Sequence, residues 1–563
     1  MRKPFQLILA IIFVFSTTNY GKANASVRAT NGMVVSASEI ASMVGVNILK
    51  KGGNAIDAAV AVGFALAVTY PQAGNIGGGG FMVVHLENGN STTIDYREKA
   101  PSSAFRDMYL DKKGEFDISK STEGWSSSGV PGSVAGLLYA LNNYGTMELS
   151  EVMEPSIQLA EIGFPIDYRF ANILNSYRDE FNKYVATKNI FTSEFGKFID
   201  GDLFIQTDLA FTLKLISEYG NEGFYGGPVA KLIAQQSSNS RGYITLEDLS
   251  NYKPKEREPV YGVYRGYKII SMGPPSSGGI ALIESLNALE NFNFEKDEWG
   301  SSKYIHSTVE ILKYVYADRS KHLGDEDFYE VPKDWLLSKE RGKEIGSKVS
   351  LYAKPSVKIF HGSQLNEESE ETTHYNVVDF KGNVVSVTTT LNSTFGNKIV
   401  VDGAGFLLNN EMDDFSAKPG TANQFGLLGG EANSIQPNKR MLSAMTPTII
   451  LDKNDDPFMA VGSPGGSTII TVVLQVILNV IDFKMDIQTA INMPRFHHQW
   501  MPDQIDYETY GFSQDVKNNL LEIGHNLGKE RILGRAEGIL IDKKNGIFWG
   551  ASDPRGYGRA IGY

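Results

Sequence analysis

The stretch Glu367-Glu-Ser-Glu-Glu-Thr-Thr-His-Tyr-Asn-Val-Val378 joins an acidic run directly to a strand-like segment, and Thr372 and Thr373 form the join. Upstream, residues 352–371 (YAKPSVKIFHGSQLNEESEE) lose apolar periodicity and read as an exposed loop. Downstream, TTHYNVVDF and VVSVTTTLN flank the short KGN turn, which is a hairpin pattern. A turn centred near Lys381-Gly382 pairs residues whose numbers sum to about 762 or 763. Thr372 then lies across from Thr390 or its immediate neighbour, and Asn392 returns beside it. An ordinary linker followed by a hairpin explains the same residues, because threonine favours strands. A second reading gives the junction chemistry. A threonine hydroxyl is a weak nucleophile without a base, and a chain-terminal threonine can use its own α-amine as that base. A break between Glu371 and Thr372 would create such a terminus, leaving a β-rich piece of 192 residues, 372–563.

Outward from the junction, residues 26–350 mix helical periods (MEPSIQLAEIGF, LAFTLKLISEY, YIHSTVEILKYVYADRS) with short β-type runs (GFMVVHL, STTIDYR). After Thr372 the β-type runs MTPTIILD and FMAVGS precede STIITVVLQVILNVIDF, read as a buried helix. AIDAAVAVGFALAV, residues 55–68, is interrupted by Asp57 and rich in small residues. It reads as a tightly packed core helix with Asn54 as N-cap rather than a membrane span. No short repeat is visible, which argues against solenoids and propellers.

At the N-terminus, Arg2 and Lys3 precede an apolar run from Phe5 to Phe15, and Ala23-Asn24-Ala25 fits a small-x-small cleavage site. That order is a secretory signal peptide over residues 1–25, with an apolar run too short for a comfortable span. Cleavage there leaves 538 residues. It removes Arg2, Lys3 and Lys22 and no acid, taking the formal charge from −12 to −15. The expectation is an exported protein, periplasmic or secreted. Such an acidic chain is a poor partner for nucleic acid or anionic lipid. With no cysteine, disulfides, thiol catalysis and thiolate metal sites are excluded, and stability must come from core burial.

The ordered set GGNAIDAAVAVGFALAV, PQAGNIGGGGFM, DYREKAP, GVPGSVAG, GPPSSGG, TTHYNVVD, TLNSTFG, LLNNEMDDFSAKPG, GSPGG and PRFHHQW resembles the γ-glutamyltransferases, members of the N-terminal nucleophile hydrolases, over nearly all of the mature chain. The resemblance implies an α/β (α+β) fold, a four-layer αββα sandwich of two stacked antiparallel sheets. It implies autocleavage into a large subunit, 26–371, and a small subunit, 372–563, which pair as a heterodimer. Glutathione is the implied substrate, with water or an amino acid or peptide as acceptor, and no cofactor or metal is implied. Carried over by position, Thr372 is the nucleophile, and Thr390 supplies the hydroxyl that bonds to it. Gly465 and Gly466 supply oxyanion amides, a role that suits glycine because the backbone must approach the reacting carbonyl. A γ-glutamyl group leaves its α-ammonium and α-carboxylate free, so the site needs a guanidinium and carboxylates. Arg97 and Ser443 take the α-carboxylate, and Asn392, Glu411 and Asp414 surround the α-amine. Taken singly, each of these residues also fits a solvated surface role.

Two positions depart from the family pattern. Ala444 replaces a second serine, and Phe425 stands where bacterial members carry a lid tyrosine. Other signals are weak. His497-His498 point to different faces with no evident third metal ligand. His374 shares the Thr372 face of its strand and is read as structural. GNIGGGGF lacks the Lys-Ser/Thr of a P-loop, and no G-x-S-x-G elbow is present. Rival readings are a glutaryl-type acylase, a poly-γ-glutamate depolymerase, and an inactive exported binding protein.

Overall fold

Alternation of side chains across strands explains the architecture. The computed structural model describes residues 25–359 and 372–563; the expected leader up to Asn24 and the acidic loop 360–371 lie outside the described residues. Two seven-stranded antiparallel sheets form the centre. One runs in the order Arg559–Gly562, Gly32–Ser36, Thr373–Asp379, Val384–Thr390, Gly79–His85, Ser91–Asp95, Lys255–Arg257. The other runs Val27–Ala29, Ile547–Ser552, Glu537–Asp542, Pro457–Gly462, Thr448–Leu451, Tyr267–Ser271, Val260–Tyr264.

In the first sheet Met33, Val35, Phe81, Val83, Val378 and Val384 belong to the core shared with the second sheet. Their neighbours Val34, Met82, Val84, Tyr375, Val377, Val385 and Val387 belong to a core shared with the outer helices. Period-two alternation thus builds two cores on one sheet. The helices Ala55–Thr69 and Ser133–Tyr144 cover its outer face, while Gly278–Leu289 and Ile469–Ile481 cover the second sheet. The result is the expected four-layer αββα sandwich.

The 55–69 helix begins as its sequence predicts. Asn54 caps Ile56 and Asp57, and Asp57 bonds back to the Asn54 amide. The Asp57 carboxylate also accepts from the Thr146 and Met147 amides and the Thr146 hydroxyl, so this buried acid is fully satisfied. Every residue of Ile469–Ile481 is buried, and no helix among the described residues is long and apolar enough to cross a membrane.

The hairpin register is Thr373↔Thr389 through Val378↔Val384, a sum of 762. Its turn is closed by Asp379 Oδ1, which accepts from the Lys381, Gly382 and Asn383 amides; Gly382 has φ 98°, the conformation that needs glycine. One expectation is corrected. Part of the segment read as an exposed loop is anchored: Ser356 is buried, its amide donates to Asp503 Oδ2 at 2.9 Å, and Trp500 Nε1 donates to its carbonyl at 3.0 Å. Polar composition signals a loop but not whether partners elsewhere in the chain satisfy its backbone.

Candidate active site

Strand alternation puts Thr372, His374 and Asn376 on the face that meets the second sheet. Asn376 Nδ2 donates to the Glu537 carbonyl there at 2.9 Å. Thr372 sits at the end of that face, nearly buried, with its Oγ 3.5 Å from Thr390 Oγ. The Thr390 hydroxyl in turn accepts from the Asn392 amide at 2.8 Å. Asn392 occupies the left-handed region, φ 78°, which asparagine tolerates better than most residues. Its Nδ2 donates to the Asn410 carbonyl at 3.0 Å, and this ties the end of the hairpin to the Glu411–Asp414 turn.

The glycine run 77–80 makes the close approach beside Thr390. A Cβ on Gly78 would lie 2.1 Å from the Thr390 carbonyl oxygen, and one on Gly80 would lie 2.4 Å from that of Thr388. Asn75 bonds both sides of the gap: its Nδ2 donates to Thr390 O at 2.9 Å and its Oδ1 accepts from Gly78 N at 2.9 Å. The glycines are here for strand packing, in agreement with the absence of a P-loop pattern.

The opposite wall comes from the second sheet. Strand Pro457–Gly462 crosses above His374, where a Cβ on Gly462 would meet the imidazole at 2.2 Å, and leads into Gly465 and Gly466 with φ of 134° and 53°. The Thr468 amide and hydroxyl both donate to the Gly465 carbonyl, at 2.9 and 2.7 Å, locking the turn. His374 bonds Thr388 Oγ and Asn376 Oδ1, and burial drives its pKa down to about 3. It is held as a neutral structural ring.

Arg97 is buried at the centre of an ion cluster. Its Nη2 donates to Asp414 Oδ2 at 2.5 Å, while Nη1 lies 2.7 Å from Glu411 Oε2 and 3.5 Å from Glu98 Oε2. The Glu411 contact is close but off the hydrogen-bond axis, so it is an ion pair rather than a directed bond. Nε and Nη2 also donate to the carbonyls of Met441 and Leu442. Burial alone would lower the Arg97 pKa, but Glu411, Glu98 and Asp414 together raise it. Burial raises the pKa of Glu411 and Asp414 against the opposing pull of Arg97, and it pushes Glu98 up to about 7. One guanidinium thus serves three carboxyl groups. Asn423 Nδ2 donates to Asp414 Oδ1 at 3.1 Å, and its Oδ1 accepts from Phe425 N at 3.0 Å. That loop places the Phe425 ring about 3 Å from where a Cβ on Gly466 would project.

Ser443 is set by GPPSSGG: its amide donates to the Pro275 carbonyl at 3.0 Å, and Ser277 Oγ donates to its carbonyl at 2.6 Å. One pocket is lined by Arg97, Thr372, Thr390, Asn392, Glu411, Asp414, Phe425, Ser443, Ala444 and Gly466, with Arg319, Leu427, Met445 and Ile469. Gly465 lies one residue behind this wall. Sequence reasoning missed Arg319, on the helix Ser302–His322, because nothing local distinguishes it from a surface helical arginine. Glu98 stood inside the quoted DYREKAP, but its burial against Arg97 was not legible there.

His497 bonds Thr471 and Gln499, whereas His498 lies against Asp503. His306, Glu310 and His525 are the one metal-type cluster among the described residues. Glu310 is paired with Lys313 Nζ at 2.8 Å, and the two imidazoles bond each other at 2.7 Å. The lysine ammonium already provides the positive charge that a cation would bring.

A pocket at a strand end between two facing antiparallel sheets, walled by helices, is the architecture of the N-terminal nucleophile hydrolase class. Residues 41–563 match the family model described as Gamma-glutamyltranspeptidase, and the chain belongs to that family. The glutathione hydrolase proenzyme of Escherichia coli (strain K12) is 49% identical over 531 residues, covering 94% of this chain and 91% of that relative. Among solved structures, a cephalosporin acylase from Bacillus halodurans aligns with TM-score 0.85 at 27% identity, covering 98% of this chain and 99% of that one. Helicobacter pylori gamma-glutamyltranspeptidase aligns with TM-score 0.57 at 48% identity, covering 59% of this chain and 96% of that chain.

Proposed function

We propose that the protein is an exported, self-processing enzyme that cleaves the γ-glutamyl bond of glutathione and related compounds and passes the group to water or to an amino acid or peptide. The observation that carries this reading is the pairing of Thr372 with Thr390 in one pocket with the Arg97–Glu411–Asp414 cluster. It joins a nucleophile to a site suited to an ammonium and a carboxylate on the same carbon.

In the first step Thr372 Oγ attacks the Glu371 carbonyl carbon. The acyl group shifts from nitrogen to oxygen, which frees the Thr372 α-amine, and water then cleaves the ester, releasing the Glu371 carboxylate and restoring the Thr372 hydroxyl. That amine then serves as base. Thr372 Oγ attacks the γ-carbonyl, the oxyanion rests on the Gly465 and Gly466 amides, and the proton taken from the hydroxyl passes to the departing amine. Water or an acceptor amine resolves the γ-glutamyl-threonine ester. Thr390 orients the nucleophile, Arg97 and Ser443 hold the α-carboxylate, and Asn392, Glu411 and Asp414 hold the α-ammonium. The large (26–371) and small (372–563) pieces remain together as a heterodimer because each sheet takes strands from both.

Two experiments test this reading. Denaturing electrophoresis of the purified protein should give two bands, with N-terminal sequencing of the smaller starting at Thr372, and Thr372→Ala should give one inactive band. Normal two-piece processing of that variant would remove Thr372 from the mechanism. The cephalosporin acylase likeness favours one rival, an acylase for glutaryl-type groups. Such a group has no ammonium to meet Asp414, so γ-glutamyl anilide should be cleaved in preference to glutaryl anilide.

A further inference from the structure

The helix Ser302–His322 runs beside the pocket and sends two side chains to its walls. Tyr316 donates its hydroxyl to the Ser467 carbonyl at 2.6 Å, behind the Gly465-Gly466 turn. One turn on, Arg319 reaches the pocket beside Ser443 and Ala444. It is 5% exposed, and its Nε donates to Ser277 Oγ at 2.9 Å, the hydroxyl that itself holds the Ser443 carbonyl. Among the described residues no carboxylate lies within ion-pair distance of Arg319, whereas Arg97 is held by three. Asp414 acts on Arg319 only from beyond ion-pair distance, and an enclosed guanidinium so weakly paired is costly and is retained where an anion is to be received.

The charge arrangement calls for such a group. A substrate α-carboxylate approaching Arg97 also meets Glu98, Glu411 and Asp414. The α-ammonium offsets one of these acids, and Arg97 is shared among all three, so little of its charge is left for the carboxylate. A second cation next to Ser443 would reverse that balance. Ala444 removes a hydroxyl donor at the same place, so this chain has a vacancy in its hydrogen-bonding to the carboxylate where Arg319 stands.

We propose that Arg319 is a second guanidinium for the substrate α-carboxylate, acting with Arg97 and Ser443 and substituting for the hydroxyl that Ala444 lacks. The inference rests on the γ-glutamyl reading above. That reading is checked separately, by cleavage of γ-glutamyl-p-nitroanilide by the unaltered enzyme.

The test compares the unaltered enzyme with Arg319→Gln and Arg319→Lys, confirming two-band processing of each by electrophoresis. γ-Glutamyl-p-nitroanilide carries no carboxylate other than the α-carboxylate. Arg319→Gln should raise its KM about 10- to 100-fold, the range of a lost hydrogen bond to a charged group, with kcat changed much less. Arg319→Lys should fall between. On the α-amide analogue of the substrate, all three enzymes should perform alike, whereas a merely structural role would weaken both substrates together. Adding Ala444→Ser should recover part of the KM of Arg319→Gln. If Arg319→Gln fails to process, the ratio of KM values for the α-carboxylate and α-amide substrates in Arg319→Lys decides. An unchanged ratio overturns the proposal. So does a defect seen with glutathione but absent with the anilide, which would place Arg319 at the leaving peptide's carboxylate.

Discussion

Arg97 does two jobs that a sequence motif cannot separate. It is the expected receiver of the substrate carboxylate, and it is also the counter-ion of three buried or nearly buried acids, Glu98, Glu411 and Asp414. Arg97→Ala should therefore do more than weaken substrate binding. Removing one member of a buried ion cluster typically costs about 3–5 kcal/mol, so the melting temperature should fall clearly at pH 7.5. The pH dependence has a definite sign. Without Arg97, burial raises the folded-state pKa of these acids further above their unfolded values. Carboxylates of that kind lose stability as pH rises through the folded pKa. The gap in melting temperature between Arg97→Ala and the unaltered enzyme should narrow from pH 7.5 to pH 5. A gap that stays constant would mean the cluster is not carrying net negative charge.

Elements rather than residues set the distance between Thr372 and Thr390. The hairpin brings the two into register, but the strand Gly79–His85 and the glycines before it fix where Thr390 lies. A Cβ on Gly78 would overlap the Thr390 carbonyl oxygen at 2.1 Å, so Gly78→Ala forces one backbone away from the other. A shift of about 1 Å at a reacting group can cost on the order of 100-fold in rate. Slow or incomplete processing, with kcat of the processed fraction reduced by that order, is expected on gels and in anilide turnover. Gly89, at an exposed turn with open space around it, has φ 87° and so carries its own strain on substitution. Gly89→Asn should nonetheless leave processing intact, since asparagine tolerates that conformation and the turn is remote from the pocket. The GNIGGGG motif was legible in the sequence as something other than a P-loop, but its purpose was not. Backbone-to-backbone contact between residues more than 300 apart leaves no local pattern.

Across the whole molecule, the two expected pieces interleave in both sheets, so breaking one bond at the junction need not separate them. The contact between the two expected pieces includes a buried histidine pair. His306 Nε2 donates to the Ser350 carbonyl at 2.7 Å, and its Nδ1 shares a 2.7 Å hydrogen bond with His525 Nε2. Burial first, then Lys313 and His306, push the His525 pKa down to about 2. In the unfolded chain this imidazole titrates near 6.5. Between those values the unfolded state binds a proton that the folded state refuses, so this group's share of stability is lost as pH falls below 6.5. His525→Gln keeps an amide that can donate to or accept from His306, and it cannot titrate. Thermal melts from pH 7.5 to 4 should show a smaller loss of stability in this variant than in the unaltered enzyme. Parallel curves would show that the pair takes up its proton in the folded state.

Sequence alone was enough for the hairpin register to within one residue, the capped 55–69 helix, the buried 469–481 helix and the chemical types gathered around Thr372. Each depends on local periodicity, turn chemistry or a short motif, and these act over a few residues. Tertiary structure alone decided that Arg319 enters the pocket, that Glu98 shares the Arg97 cluster, that residues near Ser356 are anchored rather than exposed, and that Gly78 and Gly80 are spacers for the neighbouring strand Val384–Thr390. Those outcomes depend on which distant segments exclude water from one another, and burial changes the meaning of a charge without changing its spelling.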